Sequence, residues 1–143
     1  MNIEIRELRR DDHFRGIVET LESLTDVGEI LKEEWDTFID YLNSNPNHCI
    51  WVAVVDEKIV GAITCLIEPK IIHKCSFVAH IEDVAVHKDY QGKKIANKLI
   101  TQVLEYAKEK NVYKVILNCN NELIEWYSRF GFELKDVQMR KNL

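Results

Sequence analysis

The chain has 143 residues, of which 46% are hydrophobic, and a formal net charge of −5 at pH 7. This length supports one globular domain, spanning residues 1–143, and is too short for two independent cores. The acidic balance argues against general binding to nucleic acids or anionic membranes, although a local basic patch can still hold a phosphate. No apolar run reaches the roughly 18 residues of a membrane span, and the first residues lack the apolar segment of a signal peptide. We therefore expect a soluble, cytoplasmic protein that binds neither nucleic acid nor membranes.

The four cysteines, at positions 49, 65, 75 and 119, are widely spaced. No CxxC motif and no neighbouring Cys/His pair gives the spacing of a zinc site. We therefore expect reduced cysteines without disulfides, and no bound metal.

The N-terminal third of the chain predicts a strand followed by two helices. Residues 3–8 alternate between apolar and polar side chains, as in a strand. Asp11 and Asp12 can cap a helix whose apolar residues recur at helical spacing over 14–24. A break at 25–28 separates this helix from a second helical pattern over 33–42, which ends in the polar turn NSNPN.

The middle of the chain predicts three strands. Two β-branched runs, 49–55 and 59–67, flank the sequence Asp-Glu-Lys and favour an antiparallel hairpin. A loop over 68–75, opened by Pro69, then leads to the next strand at 77–86.

The C-terminal part predicts two helices and two strands. Apolar residues at helical spacing indicate a helix over 91–110. A strand over 113–118, a helix over 121–130 and a final strand over 132–141 follow, with Gly131 as the C′ residue of the helix. The element order β-α-α-β-β-β-α-β-α-β is typical of an α/β (α+β) fold with a mixed central sheet flanked by helices.

The segment 81–104 combines a strand, a basic turn containing glycine, and an amphipathic helix. The start of a helix exposes unpaired N–H groups and the positive end of the helix dipole. A basic turn at that point is an anion site that suits phosphate. The first hypothesis is therefore a phosphate-bearing cofactor.

The turn Gln91-Gly92-Lys93-Lys94-Ile95-Ala96 resembles the pyrophosphate loop of the GNAT acetyltransferases, Q/R-x-x-G-x-G/A. Gln91 and Ala96 fit this pattern, whereas Lys94 stands where the pattern has glycine. The loop must therefore point the Lys94 side chain outward.

Further segments resemble the glucosamine 6-phosphate N-acetyltransferases of the GNAT superfamily in both order and spacing. They are TLESLTDVG (20–28), KIIH (70–73), HIEDVAV (80–86), the stretch 113–119, Trp126-Tyr127 and Gly131-Phe132. The similarity covers nearly the whole chain.

The resemblance implies a GNAT fold whose splayed strands hold acetyl-CoA. It implies transfer of the acetyl group of acetyl-CoA to the amine of D-glucosamine 6-phosphate, by direct attack in a ternary complex, on the route to UDP-N-acetylglucosamine. It also implies a homodimer with acceptor sites built from both chains. Nucleophilic catalysis through Cys119 is disfavoured beside an apolar strand, so no acyl-enzyme is expected.

For acetyl-CoA, the resemblance assigns the turn and the strand before it. Backbone N–H groups from Gly92 to Ala96 would bind the pyrophosphate, and Lys93 or Lys94 would add charge. Residues 84–86 would pair with the pantetheine, and one of their N–H groups would polarise the thioester carbonyl. The implied cofactor-binding set is Val84, Ala85, Val86, Gln91, Gly92, Lys93, Lys94, Ile95, Ala96 and Tyr127.

For the acceptor, the resemblance implies contacts from two parts of the chain. Lys70 and His73 form a cationic loop that suits a sugar phosphate, and Arg140 or Lys141 on the final strand can assist. The implied substrate-binding set is Thr25, Lys70, Ile71, Ile72, His73, Glu82, Asp83, Val84 and Asn118.

The implied catalytic residues are Tyr127, which donates a proton to the departing thiolate, Asn118 and Glu82. Asn118 departs from the family, which carries Asp or Glu there, and a carboxamide cannot act as a base. The amine must then arrive neutral, or lose its proton to water, Glu82 or Asp83. These two carboxylates are consecutive on a strand and face opposite sides, and His80 is expected to be a strand residue rather than a general base.

Two alternatives stay open. One is a GNAT N-acetyltransferase with another amine acceptor, such as a polyamine, an aminoglycoside or a peptide terminus, although a cationic acceptor favours an acidic cleft. The other is a non-catalytic CoA-binding module, which Lys94 and Asn118 favour.

Overall fold

The computed structural model describes residues 1–143 and contains a five-stranded mixed sheet flanked by helices. The strands are β1 (Glu4–Glu7), β2 (His48–Val55), β3 (Lys58–Pro69), β4 (Phe77–Val86) and β5 (Val112–Ile116), and they lie side by side in that order. The first four strands are antiparallel to their neighbours, whereas β4 and β5 are parallel. The predicted mixed sheet is therefore confirmed.

Five helical segments cover the sheet or connect its strands. They are α1 (Ile17–Leu21), α2 (Lys32–Ser44), the single turn α3 (Ile72–Cys75), α4 (Ile95–Glu109) and α5 (Ile124–Ser128). Short 3-10 turns at Arg10–Phe14, Lys88–Tyr90 and Asn121–Leu123 precede α1, α4 and α5, respectively. None of these helices is long and apolar enough to cross a membrane.

The sheet buries a hydrophobic layer on each face. On one face α4 inserts Ile95, Leu99 and Val103, all at most 1% exposed, against β2 to β4. On the other face Ile17, Trp35 and Ile39 of α1 and α2 pack against β2 and β3. Because α4 is fixed this firmly, its N-terminus is held close to the end of β4.

Gly61 of β3 allows the close approach of α4 to the sheet. A Cβ atom at this position would lie 2.7 Å from Cγ2 of Ile95 and 3.0 Å from Cδ1 of Leu99. Since real Cβ atoms do not approach other atoms this closely, a side chain here would push α4 away from the sheet.

The parallel pairing of β4 and β5 is short. Residues Phe77–His80 of β4 pair with β5, while the following residues of β4 have no partner on that strand. The two strands therefore diverge beyond His80, which confirms the predicted splay.

A β-bulge also distorts β4 in its diverging half. Glu82 lies opposite Thr64 and Ala85 lies opposite Ala62, so that Asp83 and Val84 face Ile63 alone. Asp83 has a left-handed φ of 51°. A bulge of this kind leaves a residue outside the regular ladder.

The predicted final strand over 132–141 is wrong. The structure gives these residues no regular secondary structure, and the backbone of 133–143 makes no hydrogen bond within the chain. The side chains of Leu134, Val137 and Met139 are more than two-thirds exposed. A strand pattern forms a strand only beside a second strand, and this chain supplies none to its own C-terminal segment.

Two predicted helices and one predicted loop needed smaller corrections. The first predicted helix is divided at Gly16, whose φ is 100°. The helix expected from 91 begins at Ile95, because Gln91–Lys94 form the preceding turn. The proline-opened loop is also shorter than expected, because β3 continues to Pro69.

The C-terminal end of α5 follows its prediction. Gly131 has a φ of 92° and its N–H donates to Ser128 at 3.0 Å, while the N–H of Phe132 donates to Tyr127 at 3.4 Å. This pair of bonds is a Schellman motif with Gly131 at C′, as the sequence predicted.

Candidate functional site

A cleft of about 760 Å³ opens where β4 and β5 diverge. Strand β4 contributes His80 and Glu82, the segment after β5 contributes Asn118 and Cys119, and α5 contributes Tyr127. Residues 132–138 form much of the remaining wall. The three side chains predicted to be catalytic, Glu82, Asn118 and Tyr127, thus lie along one cleft.

The bulge in β4 changes the expected arrangement of the two carboxylates. Regular alternation would place Glu82 and Asp83 on opposite faces. The left-handed backbone at Asp83 interrupts that alternation, and both residues are exposed. The next residue, Val84, is half-buried and also lies outside the regular register, so that the backbone of the bulge borders the gap between the strands.

Tyr127 is held by aromatic packing at the closed side of the cleft. It is only 6% exposed and packs edge-on against Trp126 and Phe132, with ring centroids 4.8 and 5.9 Å away. Burial raises the pKa of its phenol, and the neighbouring Cys119 adds to the shift. The phenol therefore stays protonated at neutral pH and can donate its proton.

The turn before α4 is open and basic. Gln91 donates from Nε2 to the Val86 carbonyl at 3.3 Å and so ties the turn to the end of β4. Gly92 has a φ of 78°, and the space where its Cβ would stand is empty. Lys93 and Lys94 are both exposed. The first N–H groups of α4 and these two ammonium groups form a site that can hold a pyrophosphate.

Lys94 adopts the backbone conformation that glycine favours. It is the N-cap of α4 with φ 61° and ψ 23°, in the left-handed region. This conformation explains why glycine fits the equivalent position of the family loop, and the exposed lysine agrees with the expected outward side chain. The loop keeps its geometry at the cost of some backbone strain.

The predicted acceptor loop lies outside this cleft. None of Thr25, Lys70, Ile71, Ile72 and His73 lines it. Lys70 lies 3.5 Å from a carboxylate oxygen of Glu68. The ring of His73 stacks on Tyr113 with centroids 4.1 Å apart, in a left-handed turn that includes Lys74 and Cys75. Of the predicted acceptor set, the cleft of the single chain contains Glu82 and Asn118 and lacks Asp83 and Val84 as well.

Among the cleft residues that were not predicted from the sequence are a lysine and a histidine. Lys114 on β5 lines the cleft, and so does His80, which the sequence assigned only to a strand. The signal for Lys114 is strand alternation, because Lys114, Ile116 and Asn118 follow one another at intervals of two. The divergence of β4 from β5, which opens the space in front of them, leaves no such local signal.

The structure brings no three His, Cys, Asp or Glu side chains together in a position to bind a metal ion. Its four cysteines are free thiols, of which Cys49 and Cys65 are buried and Cys75 and Cys119 exposed. Of these thiols, Cys119 lies in the cleft.

The chain matches a known family of acetyltransferases. The sequence profile of the Acetyltransferase (GNAT) family matches residues 3–132. Since this match covers most of the chain, the protein belongs to the GNAT acetyltransferase family.

Within that family, the chain is similar to proteins named glucosamine 6-phosphate N-acetyltransferase. The protein of that name from Candida albicans is 36% identical over 136 residues, which cover 94% of this chain and 91% of the relative. The Arabidopsis thaliana protein is 32% identical over 142 residues, covering 96% of this chain and 95% of the relative. The crystal structure of the Arabidopsis thaliana glucosamine-6-phosphate N-acetyltransferase superposes with a TM-score of 0.96 and covers 99% of both chains. The resemblance predicted from the sequence is confirmed.

Proposed function

We propose that this protein transfers the acetyl group of acetyl-CoA to the amine of D-glucosamine 6-phosphate. The product is N-acetyl-D-glucosamine 6-phosphate, on the route to UDP-N-acetylglucosamine. The observation that carries the proposal is the cleft between β4 and β5, which joins a buried phenol, a distorted strand and an exposed acid and amide. The names of the relatives at 32–36% identity support this acceptor.

The family uses acetyl-CoA, and the turn before α4 fits its phosphates. Backbone N–H groups of residues 92–96 would bind the pyrophosphate, with the ammonium groups of Lys93 and Lys94 in support. The pantetheine would follow the diverging half of β4 into the cleft. Backbone N–H groups of residues 84–86 would then polarise the thioester carbonyl.

The reaction requires a nucleophilic amine and a protonated leaving group. The amine nitrogen attacks the carbonyl carbon, a C–N bond forms and the C–S bond breaks. Tyr127 supplies a proton to the departing sulfur, because its raised pKa keeps the phenol protonated. The exposed side chains of Glu82 and Asn118 orient the amine by hydrogen bonds.

We also propose a cytoplasmic homodimer whose acceptor sites use both chains. The C-terminal segment supports the dimer, since the backbone of residues 133–143 makes no hydrogen bond within the chain and the apolar side chains there are exposed. Pairing with a second copy would turn its alternating pattern into a strand, and would bring Arg140 and Lys141 near that copy's cleft. Light scattering should give the mass of a dimer, and Val137→Lys together with Met139→Lys should shift it toward the monomer.

A second candidate is a GNAT N-acetyltransferase with a different amine acceptor. This candidate is favoured because Thr25 and residues 70–73, which were predicted to contact the sugar phosphate, do not line the cleft of the single chain. A non-catalytic CoA-binding module is a third, since Lys94 and Asn118 depart from the family pattern.

Free thiol release from acetyl-CoA separates these candidates. We expect glucosamine 6-phosphate to stimulate release, glucosamine without the phosphate to stimulate it far less, and spermidine or kanamycin to have no effect. Mass spectrometry should show one acetyl group on the sugar phosphate. Stimulation by another amine alone would favour the second candidate, and acetyl-CoA binding without release would favour the third.

A further inference from the structure

Because Asn118 cannot act as a base, the proton released in the proposed reaction must pass to another group. Acetylation of an ammonium group releases one proton in total, and a carboxamide has no basic atom to receive it. Among the side chains that line the cleft, the imidazole of His80 has a ring nitrogen that can accept a proton. The position of His80 in the cleft is therefore relevant to the chemistry.

His80 is well placed within the cleft. Its side chain is 28% exposed and lies on β4 two residues before Glu82, so both point to the same face. The register places His80 beside Ile116 of β5, two residues before Asn118. The imidazole thus borders the same space as the acid and the amide predicted to hold the amine.

Glu68 fixes the orientation of this imidazole. Its Oε1 atom on β3 lies 2.9 Å from Nε2 of His80. The hydrogen bond from His80 lowers the pKa of Glu68 despite some opposing desolvation, and Lys70 lowers it further. Because an ionised carboxylate only accepts hydrogen bonds, Nε2 must carry the hydrogen, and the neutral ring then has its free lone pair on Nδ1.

Nδ1 of His80 makes no hydrogen bond within the chain, so its lone pair is free for a ligand. Charged groups that pair with Glu68 or line the same cleft come from three strands and the C-terminal segment. They are Glu68 and Lys70 at the end of β3, Glu82 on β4, Lys114 on β5, and Glu133, Lys135 and Asp136 in the C-terminal wall.

We propose that His80 accepts the proton of the attacking amine and that Glu68 is its positioning residue. This inference rests on the proposed acetyl transfer. As the C–N bond forms, the proton on nitrogen passes to Nδ1 of His80, while the phenol proton of Tyr127 passes to the departing sulfur. His80 then returns its proton to solvent through the open cleft, and Tyr127 regains one from solvent.

The test compares the pH dependence of kcat/KM for glucosamine 6-phosphate in four enzymes: wild type, His80→Gln, Glu68→Gln and His48→Gln. The wild-type kcat/KM should fall at low pH because two groups gain a proton there, the amine of the acceptor and the imidazole. The kcat/KM of His80→Gln should be about 100-fold below wild type at neutral pH. Its pH profile should show only the ionisation of the amine. The kcat/KM of Glu68→Gln should be about 10-fold below wild type. Its pH profile should retain the ionisations of both the amine and the imidazole.

His48→Gln is the matched control, because His48 is also a hydrogen-bonded strand histidine but lies outside the cleft. It should leave the rate and the pH profile unchanged. A second variant, His80→Ala, tests the chemistry directly, since added imidazole should restore activity several-fold there and not in His80→Gln. Thermal unfolding should show that all variants are folded.

Two results would overturn the proposal. One is a His80→Gln enzyme within about 3-fold of wild type that retains both ionisations. The other is a slow His80→Gln enzyme with an unchanged pH profile, together with a His80→Ala enzyme that imidazole does not rescue, which would make His80 structural. If wild type acetylates another amine instead, the proposed substrate is wrong and the same comparison is made with that amine.

Discussion

The buried carboxylate of Asp12 is paired within the chain, whereas the exposed carboxylate and amide of the cleft are not. Asp12 is fully buried, and it accepts two hydrogen bonds from Arg6 and one from the N–H of Arg9, all at 2.8 Å. The side chains of Glu82 and Asn118, in contrast, are exposed and have no partner in the chain. The difference separates polar residues that stabilise the fold from those available to a ligand.

The pKa of Asp12 follows from its surroundings. Burial opposes its ionisation, but the hydrogen bonds from Arg6 and Arg9 outweigh it and leave the pKa below its usual range. A lowered carboxyl pKa stabilises the fold above the unfolded-state value of about 3.9, and this contribution is lost as the pH falls through the lower folded-state value. The Asp12 carboxylate therefore stays ionised and paired with Arg6 at neutral pH.

The largest expected effect comes from breaking the N-terminal pair. Asp12→Ala should lower the free energy of unfolding by about 3–5 kcal/mol, because the Arg6 guanidinium would remain without its partner. Urea unfolding at pH 7 measures this loss. The exposed pair of Asp11 and Arg15 is the control, since Asp11→Ala should cost less than about 1 kcal/mol. Equal effects for the two variants would contradict the assigned structural role of Asp12.

The next effect should appear in catalysis and not in stability. Tyr127→Phe keeps the aromatic packing and removes the proton donor, so kcat should fall about 100-fold. Tyr113→Phe is the matched control, because the Tyr113 hydroxyl is buried without a partner, so its removal should leave kcat unchanged and should maintain or raise stability. A Tyr127→Phe enzyme with normal kcat would remove the phenol from the mechanism.

A smaller effect should come from Asn118→Ala. This change removes a hydrogen bond to the acceptor but no titrating group, so the KM for glucosamine 6-phosphate should rise about 10-fold. The high-pH limb of the rate profile should stay as it is. The exposed neighbour Asn120 provides the control variant Asn120→Ala, with no expected change in KM. Loss of a titration step in Asn118→Ala would show that this position is coupled to proton transfer.

The smallest effect concerns the basic turn. Lys94 has left-handed backbone and Lys93 does not. Lys93→Gly should therefore destabilise the fold by up to about 1 kcal/mol, whereas Lys94→Gly should be neutral or slightly stabilising. Thermal unfolding of the two variants gives the comparison. A larger loss of stability in Lys94→Gly would mean that its side chain makes contacts that hold the turn.

Local sequence patterns predicted most of the sheet and the main helix. The β-branched runs gave β2 and β3 to within a few residues, and the helical spacing of apolar residues gave the buried face of α4. Gly131 was predictable because a C′ residue requires a left-handed backbone that glycine supplies. These features depend on neighbours close in sequence.

The features that were missed depend on distant parts of the chain or on a second molecule. The 132–141 segment has a strand pattern but no strand beside it. The bulge at Asp83 arises from its pairing with β3, and it changed the expected faces of Glu82 and Asp83. His80 looked like an ordinary strand residue because its partner, Glu68, is 12 positions away on another strand.

The most direct test of the central claim is free thiol release from acetyl-CoA, measured with and without glucosamine 6-phosphate, for wild type beside Tyr127→Phe. We predict that release by wild type depends on the sugar phosphate and falls about 100-fold in the variant. Release that is independent of the sugar phosphate, or that persists in Tyr127→Phe, would contradict the assignment of acetyl transfer to the cleft between β4 and β5.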